Sequence, residues 1–139
     1  MNLVIDFITK LLFELNGSKV ELDNKSLTKA YSEFILNDNN KIYIASDHEK
    51  EIGIITVTQL IAIYTQGRYG IINELYVLPE YRSSGIGKLL LYEVIKFAKS
   101  KDWKRIEVGA PNQEKWQRTI DFYLKEGFEI IGPRLKKYL

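Results

Sequence analysis

Apolar positions along this chain recur at two different spacings, and the change from one to the other marks out its elements. Leu3/Val4, Phe7/Ile8, Leu11/Leu12 and Leu15 return every three or four residues, which predicts a helix with one buried face that stops at Gly17. Leu27, Ala30/Tyr31, Phe34 and Ile35 do the same. They predict a second helix, capped by Asn24 or Ser26 and broken by Asn37-Asp38-Asn39-Asn40. From Lys41 the residues turn β-branched and aromatic. Ile42-Tyr43-Ile44-Ala45 and Gly53-Ile54-Ile55-Thr56-Val57-Thr58, on either side of the charged turn 47–51, predict a hairpin. The apolar run goes on through Leu60-Ile61-Ala62-Ile63-Tyr64 to a turn at Gln66-Gly67-Arg68, after which 69–78 should come back antiparallel. Both faces of that strand are mostly apolar, which places it centrally in a sheet. Pro79 ends it, because proline offers no amide hydrogen to a ladder.

The second half alternates helix and strand. Ile86, Leu89/Leu90, Val94 and Phe97/Ala98 face inward along a helix from Gly85 to about Lys101, and Arg105-Ile106-Glu107-Val108 follow as a short strand. Residues 75–108 are then a βαβ unit whose two strands should be parallel. A further helix opens at Pro111-Asn112, carries Trp116, Ile120 and Tyr123/Leu124 at helical spacing, and ends at Gly127. Phe128-Glu129-Ile130-Ile131, a Gly132-Pro133 turn and 134–139 predict one or two closing strands. The expected fold class is α/β (α+β), with a mixed, mostly antiparallel central sheet of about six strands and about four helices. No repeat or linker divides it, so a single domain over 1–139 is expected.

Composition narrows the partners. A chain of 139 residues can bury roughly 68–70% of its unfolded surface. With 45% hydrophobic and 27% charged residues it reads as globular rather than disordered. A net charge of +2 without a Lys/Arg stripe argues against nucleic acid. There is no cysteine and one histidine, His48, so no disulfide, thiol nucleophile or metal site is expected. Asp6, Lys10 and Glu14 interrupt the apolar N-terminus at helical spacing, which describes an amphipathic helix rather than a leader. Nowhere does an uncharged apolar run reach the roughly 18 residues that span a bilayer, so no membrane partner and a cytoplasmic location are expected. Homodimerisation is left open.

The candidate chemistry gathers at 74–88, ELYVLPEYRSSGIGK. Arg82-Ser83-Ser84-Gly85-Ile86-Gly87 lets backbone amides converge where a helix starts and adds its partial positive charge, a place for a phosphate-bearing ligand. A P-loop would need glycine at Arg82 and serine or threonine at Leu89, and a dinucleotide fingerprint would need glycine at Leu90; neither fits. The pattern that fits is Leu75-x-Val77-x-Pro79-Glu80-x-Arg82-x-x-Gly85-x-Gly87, with Phe122-Tyr123-x-x-x-Gly127-Phe128 about forty residues further on. From roughly Lys41 onward, in motifs and in order of elements, the chain resembles the GNAT superfamily of N-acetyltransferases.

That resemblance implies acetyl-CoA as cosubstrate and an amine as acceptor. The amides of Arg82, Ser83, Ser84, Gly85, Ile86, Gly87 and Lys88 would hold the coenzyme pyrophosphate, with Arg82 and Lys88 adding charge. In this family the central strand splays from its parallel neighbour in a V. The pantetheine arm would lie there against the backbone of Tyr76, Val77 and Leu78, an amide near Val77 polarising the acetyl carbonyl. Tyr123 matches the tyrosine that faces the coenzyme sulfur, where a phenol can protonate or hydrogen-bond a departing thiolate. Without the motif it would read as one of nine tyrosines, packing a helix on a sheet. Many members carry asparagine seven residues before that tyrosine; Trp116 stands there, and Asn112 is the expected substitute.

A protonated amine cannot attack a thioester, so a base is needed. Glu74 is the first candidate: alternation puts it between Ile72 and Tyr76 on one face, where partial desolvation should raise its pKa. A structural ion pair with Arg or Lys is its other reading. Glu107 is a second candidate, or a rim carboxylate. The absence of cysteine favours direct attack in a ternary complex over an acyl-enzyme. The rival readings are a catalytically silent acyl-CoA-binding or regulatory module and, from the basic turn alone, a nucleotide- or nucleic-acid-binding module.

Overall fold

The helices form where the apolar spacing places them, and their caps decide the boundaries. A computed structural model describes residues 2–17, 21–109 and 113–139, without the side chains of 113–115. Helix α1 (Leu3–Asn16) starts on Asn2, whose Oδ1 accepts from the N–H groups of Val4 at 2.8 Å and Ile5 at 3.3 Å. Helix α2 (Asn24–Ile35) is capped by Asp23, not by Asn24 or Ser26. The Asp23 carboxylate accepts both the Lys25 N–H at 3.1 Å and the Ser26 hydroxyl at 2.6 Å, two bonds that a cap at either of the other residues would lack. The Ser26 bond, and then that from Lys25, hold the carboxyl below its ordinary pKa. There follow β1 (Asn40–Asp47), β2 (Lys50–Ala62), β3 (Gly67–Val77), a 3-10 turn (Pro79–Tyr81), α3 (Ile86–Ser100), β4 (Ile106–Val108) and α4 (Gln113–Lys125).

The sheet has the order β1-β2-β3-β4, antiparallel across the first two pairs and parallel across β3 and β4. It is the expected mixed sheet with four helices, but it has four strands among the described residues rather than about six. Residues 128–139, read from the sequence as closing strands, form no ladder. An apolar run becomes a strand only where a neighbour's N–H and C=O groups meet its own, and here Ile130, Ile131 and Leu135 are 68%, 69% and 95% exposed.

Two compact units emerge, Met1–Val108 and Gly109–Leu139. In the first, α1 covers one sheet face: Val4 and Phe7 join Ile52, Ile54, Tyr76 and Leu78 in a buried cluster, with the Phe7 and Tyr76 rings 5.9 Å apart. On the opposite face Gly53 lies close to Leu90 of α3, its missing Cβ only 3.3 Å from that side chain. Trp103 leads into β4 with its ring over Gly70, where any Cβ would overlap it, and its indole N–H donates to Gln59 at 2.8 Å. In the second unit, Tyr123 of α4 packs edge-on against Phe122 at 5.1 Å and Phe128 at 5.2 Å. Gly127 leaves the helix at φ 93°.

Candidate functional site

The turn after β3 is built by local bonds. The 3-10 turn carries the chain off the strand, and Arg82 folds back. Its Nε donates to the Val77 carbonyl at 2.9 Å, and its two Nη atoms donate to both oxygens of Glu14 on α1, each at 2.7 Å. The guanidinium also stands 5.4 Å from the Tyr76 ring. Ser83 and Gly85 are left-handed, at φ 65° and 88°, and the Ser84 hydroxyl donates to the Tyr81 carbonyl. The first helical bond of α3 runs from the Leu89 N–H to the Gly85 carbonyl at 3.1 Å. The amides of Ile86, Gly87 and Lys88 therefore come before any intrahelical acceptor, at the positive end of the helix. Ser83, Ser84, Gly85 and Lys88 are exposed, so this end of α3 is open to an anion, with Arg82's charge shared with Glu14.

The end of β3 supplies a second row of amides. Leu78 donates its N–H to Ile52 at 2.8 Å, so strand alternation turns the N–H and C=O of Val77 away from β2. The parallel ladder with β4 has ended by then: its rungs are Gly70↔Ile106, Ile71↔Glu107 and Ile72↔Val108, while β3 runs on to Val77. Tyr76 and Leu78 bury their side chains beneath α1.

Glu74 owes its position to an irregularity. Val57 pairs with Ile72 and Thr56 with Glu74, so Asn73 is an extra residue, a β-bulge on β3. Alternation alone would put Ile72, Glu74 and Tyr76 on one face. The bulge keeps Glu74 with Tyr76 and turns Ile72 to the other side. Asn73 donates to the Thr58 hydroxyl at 2.7 Å. The Thr56 hydroxyl donates to the Glu74 carboxylate and accepts the Glu74 N–H at 3.2 Å. The carboxylate is thus hydrogen-bonded to a threonine rather than paired with an Arg or Lys. Burial pushes its pKa above the usual range, and the Thr56 bond offsets this only in part.

Thr56 and Glu74 form the polar floor of a cleft of about 120 Å3 in the first unit. Its walls are Val4, Ile5 and Ile8 of α1, Leu27, Ala30, Tyr31 and Phe34 of α2, and Ile42 of β1. These wall residues, with Thr56 and Glu14, are what sequence reasoning did not single out. Glu14 stands 68 residues from Arg82, and no local pattern joins them. Glu107, the second candidate base, is held by Arg105 at 2.6 and 2.8 Å and has the surroundings of a rim ion pair. Tyr123 lies in the second unit, buried, with burial pushing its phenol well above the ordinary range. Asn112 lies outside the described residues. Among the described residues no cluster of His, Asp or Glu could hold a metal ion, and no helix is long and apolar enough to cross a membrane.

A mixed sheet of this order, with a glycine turn and helix start after its central strand, is the arrangement found in acetyltransferase domains. The model for the acetyltransferase (GNAT) domain matches residues 38–130, and the chain belongs to that family. An uncharacterized N-acetyltransferase of Mycobacterium tuberculosis (strain ATCC 25618 / H37Rv) is 36% identical over 63 residues, 45% of this chain and 39% of that protein. One from Archaeoglobus fulgidus is 31% identical over 88 residues, 60% of each. The chain therefore matches between about two fifths and three fifths of these relatives' length. Among solved structures, a transcriptional regulator from Bacillus halodurans superposes with a TM-score of 0.84 at 23% identity, over 100% of this chain and 95% of that one. A predicted acetyltransferase from Clostridium acetobutylicum with acetyl-CoA gives 0.83 at 21%, over 98% and 88%. These two likenesses establish a shared fold.

Proposed function

We propose that the chain is an acetyl-CoA-dependent N-acetyltransferase that passes the acetyl group directly to a primary amine in a ternary complex. The observation that carries this reading is Glu74, a desolvated carboxylate with a raised pKa at the floor of an apolar cleft, a few residues before a strand end and an open helix start. In the proposed reaction Glu74 takes a proton from the acceptor nitrogen, directly or through water. The nitrogen attacks the thioester carbon, the C–S bond breaks, and coenzyme A leaves as the thiolate. The pyrophosphate would lie on the amides of residues 82–88 and the pantetheine arm along 76–78, where β3 has outrun β4. The Val77 N–H would face the carbonyl oxygen as negative charge develops there. The phenol of Tyr123 would donate a hydrogen bond to the departing sulfur. Its raised pKa, above the roughly 8.5 of an ordinary thiol, suits it to hold that bond without surrendering the proton. The Clostridium neighbour's acetyl-CoA supports the choice of coenzyme.

Acetyl-CoA at about a hundred times its Kd should stabilise the native state by about 2.7 kcal/mol. Thiol release with an amine should follow. No thermal shift at saturating acetyl-CoA would remove the coenzyme assignment. A shift without thiol release would favour the second reading, a catalytically silent acyl-CoA-binding or regulatory module; a regulatory role is what the Bacillus neighbour's description as a transcriptional regulator suggests.

A further inference from the structure

The cleft beside Glu74 also indicates which kind of amine it takes. We infer that the acceptor is a primary amine bearing one apolar group of about phenyl size and no second charge, an inference that rests on the transfer reading above. Three observations lead there. The walls that α1 and α2 contribute are apolar side chains, from Ile5 and Ile8 across to Leu27 and Phe34, with Tyr31 adding one phenol hydroxyl. The volume of about 120 Å3 compares with the roughly 150 Å3 of an aliphatic-lined cavity that takes up benzene. And among the described residues Glu74 is the single carboxylate of the lining, already committed to the reacting nitrogen.

A second ammonium inside the cleft would lose its water and find no counter-charge. A polyhydroxylated amino sugar would fare little better, since the Thr56 hydroxyl is already bonded to Glu74 and, among the described lining residues, the Tyr31 hydroxyl alone is left to serve several sugar hydroxyls. Apolar substituents gain instead, by about fourfold for each methylene that leaves water.

Heptylamine and 1,6-diaminohexane test this, being equal in length and different only where a methyl replaces an ammonium. In a thiol-release assay with acetyl-CoA, heptylamine should show at least a tenfold higher kcat/KM. Ala30→Asp, at an exposed position on the cleft wall, should shift the ratio at least tenfold toward the diamine. Equal or faster turnover of the diamine by the unaltered protein would overturn the inference and leave the transferase reading standing. If acetyl-CoA binds but neither amine releases thiol, the transferase reading falls instead. Thermal shifts with coenzyme A present then decide the cleft: a larger shift with heptylamine supports an apolar ligand, and equal shifts overturn it.

Discussion

The turn at the start of α3 and the cleft beside Glu74 are constructed in opposite ways. The turn is continuous in sequence, made of residues 77–88, and what it offers a ligand is mostly backbone. The cleft draws on α1, α2, β1, β2 and β3, and what it offers is side chains on a face chosen by one extra residue. A backbone site tolerates side-chain drift as long as its φ angles survive. A side-chain cleft can change its ligand with each substitution while the fold stays put. On the proposed reading, one molecule can therefore keep a general coenzyme and adapt its acceptor.

The largest effect should come from Glu74→Gln, which ought to lower kcat/KM by about 10²–10⁴ while leaving acetyl-CoA affinity in place. The unaltered protein should lose kcat/KM as pH falls through the raised Glu74 pKa, and that acid limb should be absent in the variant. Stability should move the other way. A carboxyl whose folded pKa is raised stabilises fully below its unfolded pKa, and that contribution is lost as pH rises through the folded value. Above that window the glutamine protein should melt no lower than the parent. Retained turnover with the same acid limb would exclude Glu74 as the base.

Gly85→Val sharpens the contrast from the other side. A β-branched residue at φ 88° costs about 1–2 kcal/mol, so acetyl-CoA affinity measured by calorimetry should weaken about tenfold. The ranking of amines should not change; a changed ranking would mean the two regions are not separable. Smallest is the link between them, Arg82 to Glu14, where a double-mutant cycle with Arg82→Gln and Glu14→Gln should give a coupling of about 0.5–1.5 kcal/mol in unfolding. A coupling near zero would mean that α1, which walls the cleft, is held by its apolar face alone.

The turn was legible because everything that defines it is local: Pro79 stopping a strand, Gly85 able to turn left-handed, a helical period resuming at Ile86. The parallel pairing of β3 with β4 followed from the βαβ order. Glu74 could be picked out as an acid in an apolar strand, but not its partner, because Thr56 meets it only through the pairing of β2 with β3. The face of Ile72 was misjudged for a related reason. Alternation counts residues, and nothing in Ile71-Ile72-Asn73-Glu74, which has no glycine, announces that one is uncounted. The closing strands failed differently, since the β-rich sequence at 128–131 is real but a strand also needs a partner edge, which no composition supplies.

The bulge at Asn73 makes the pairing of Thr56 with Glu74, rather than the number of residues before it, the thing inheritance must protect. A point change at Asn73 would cost the bond to Thr58 and little else. Loss of its single codon would close the bulge and leave Ile72 beside Glu74, still opposite Val57 and Thr56, so that plain alternation keeps Glu74 on the cleft face. Among descendants of this chain, loss of the residue between Ile72 and Glu74 should therefore be met more often than loss of a residue at any paired position of β3.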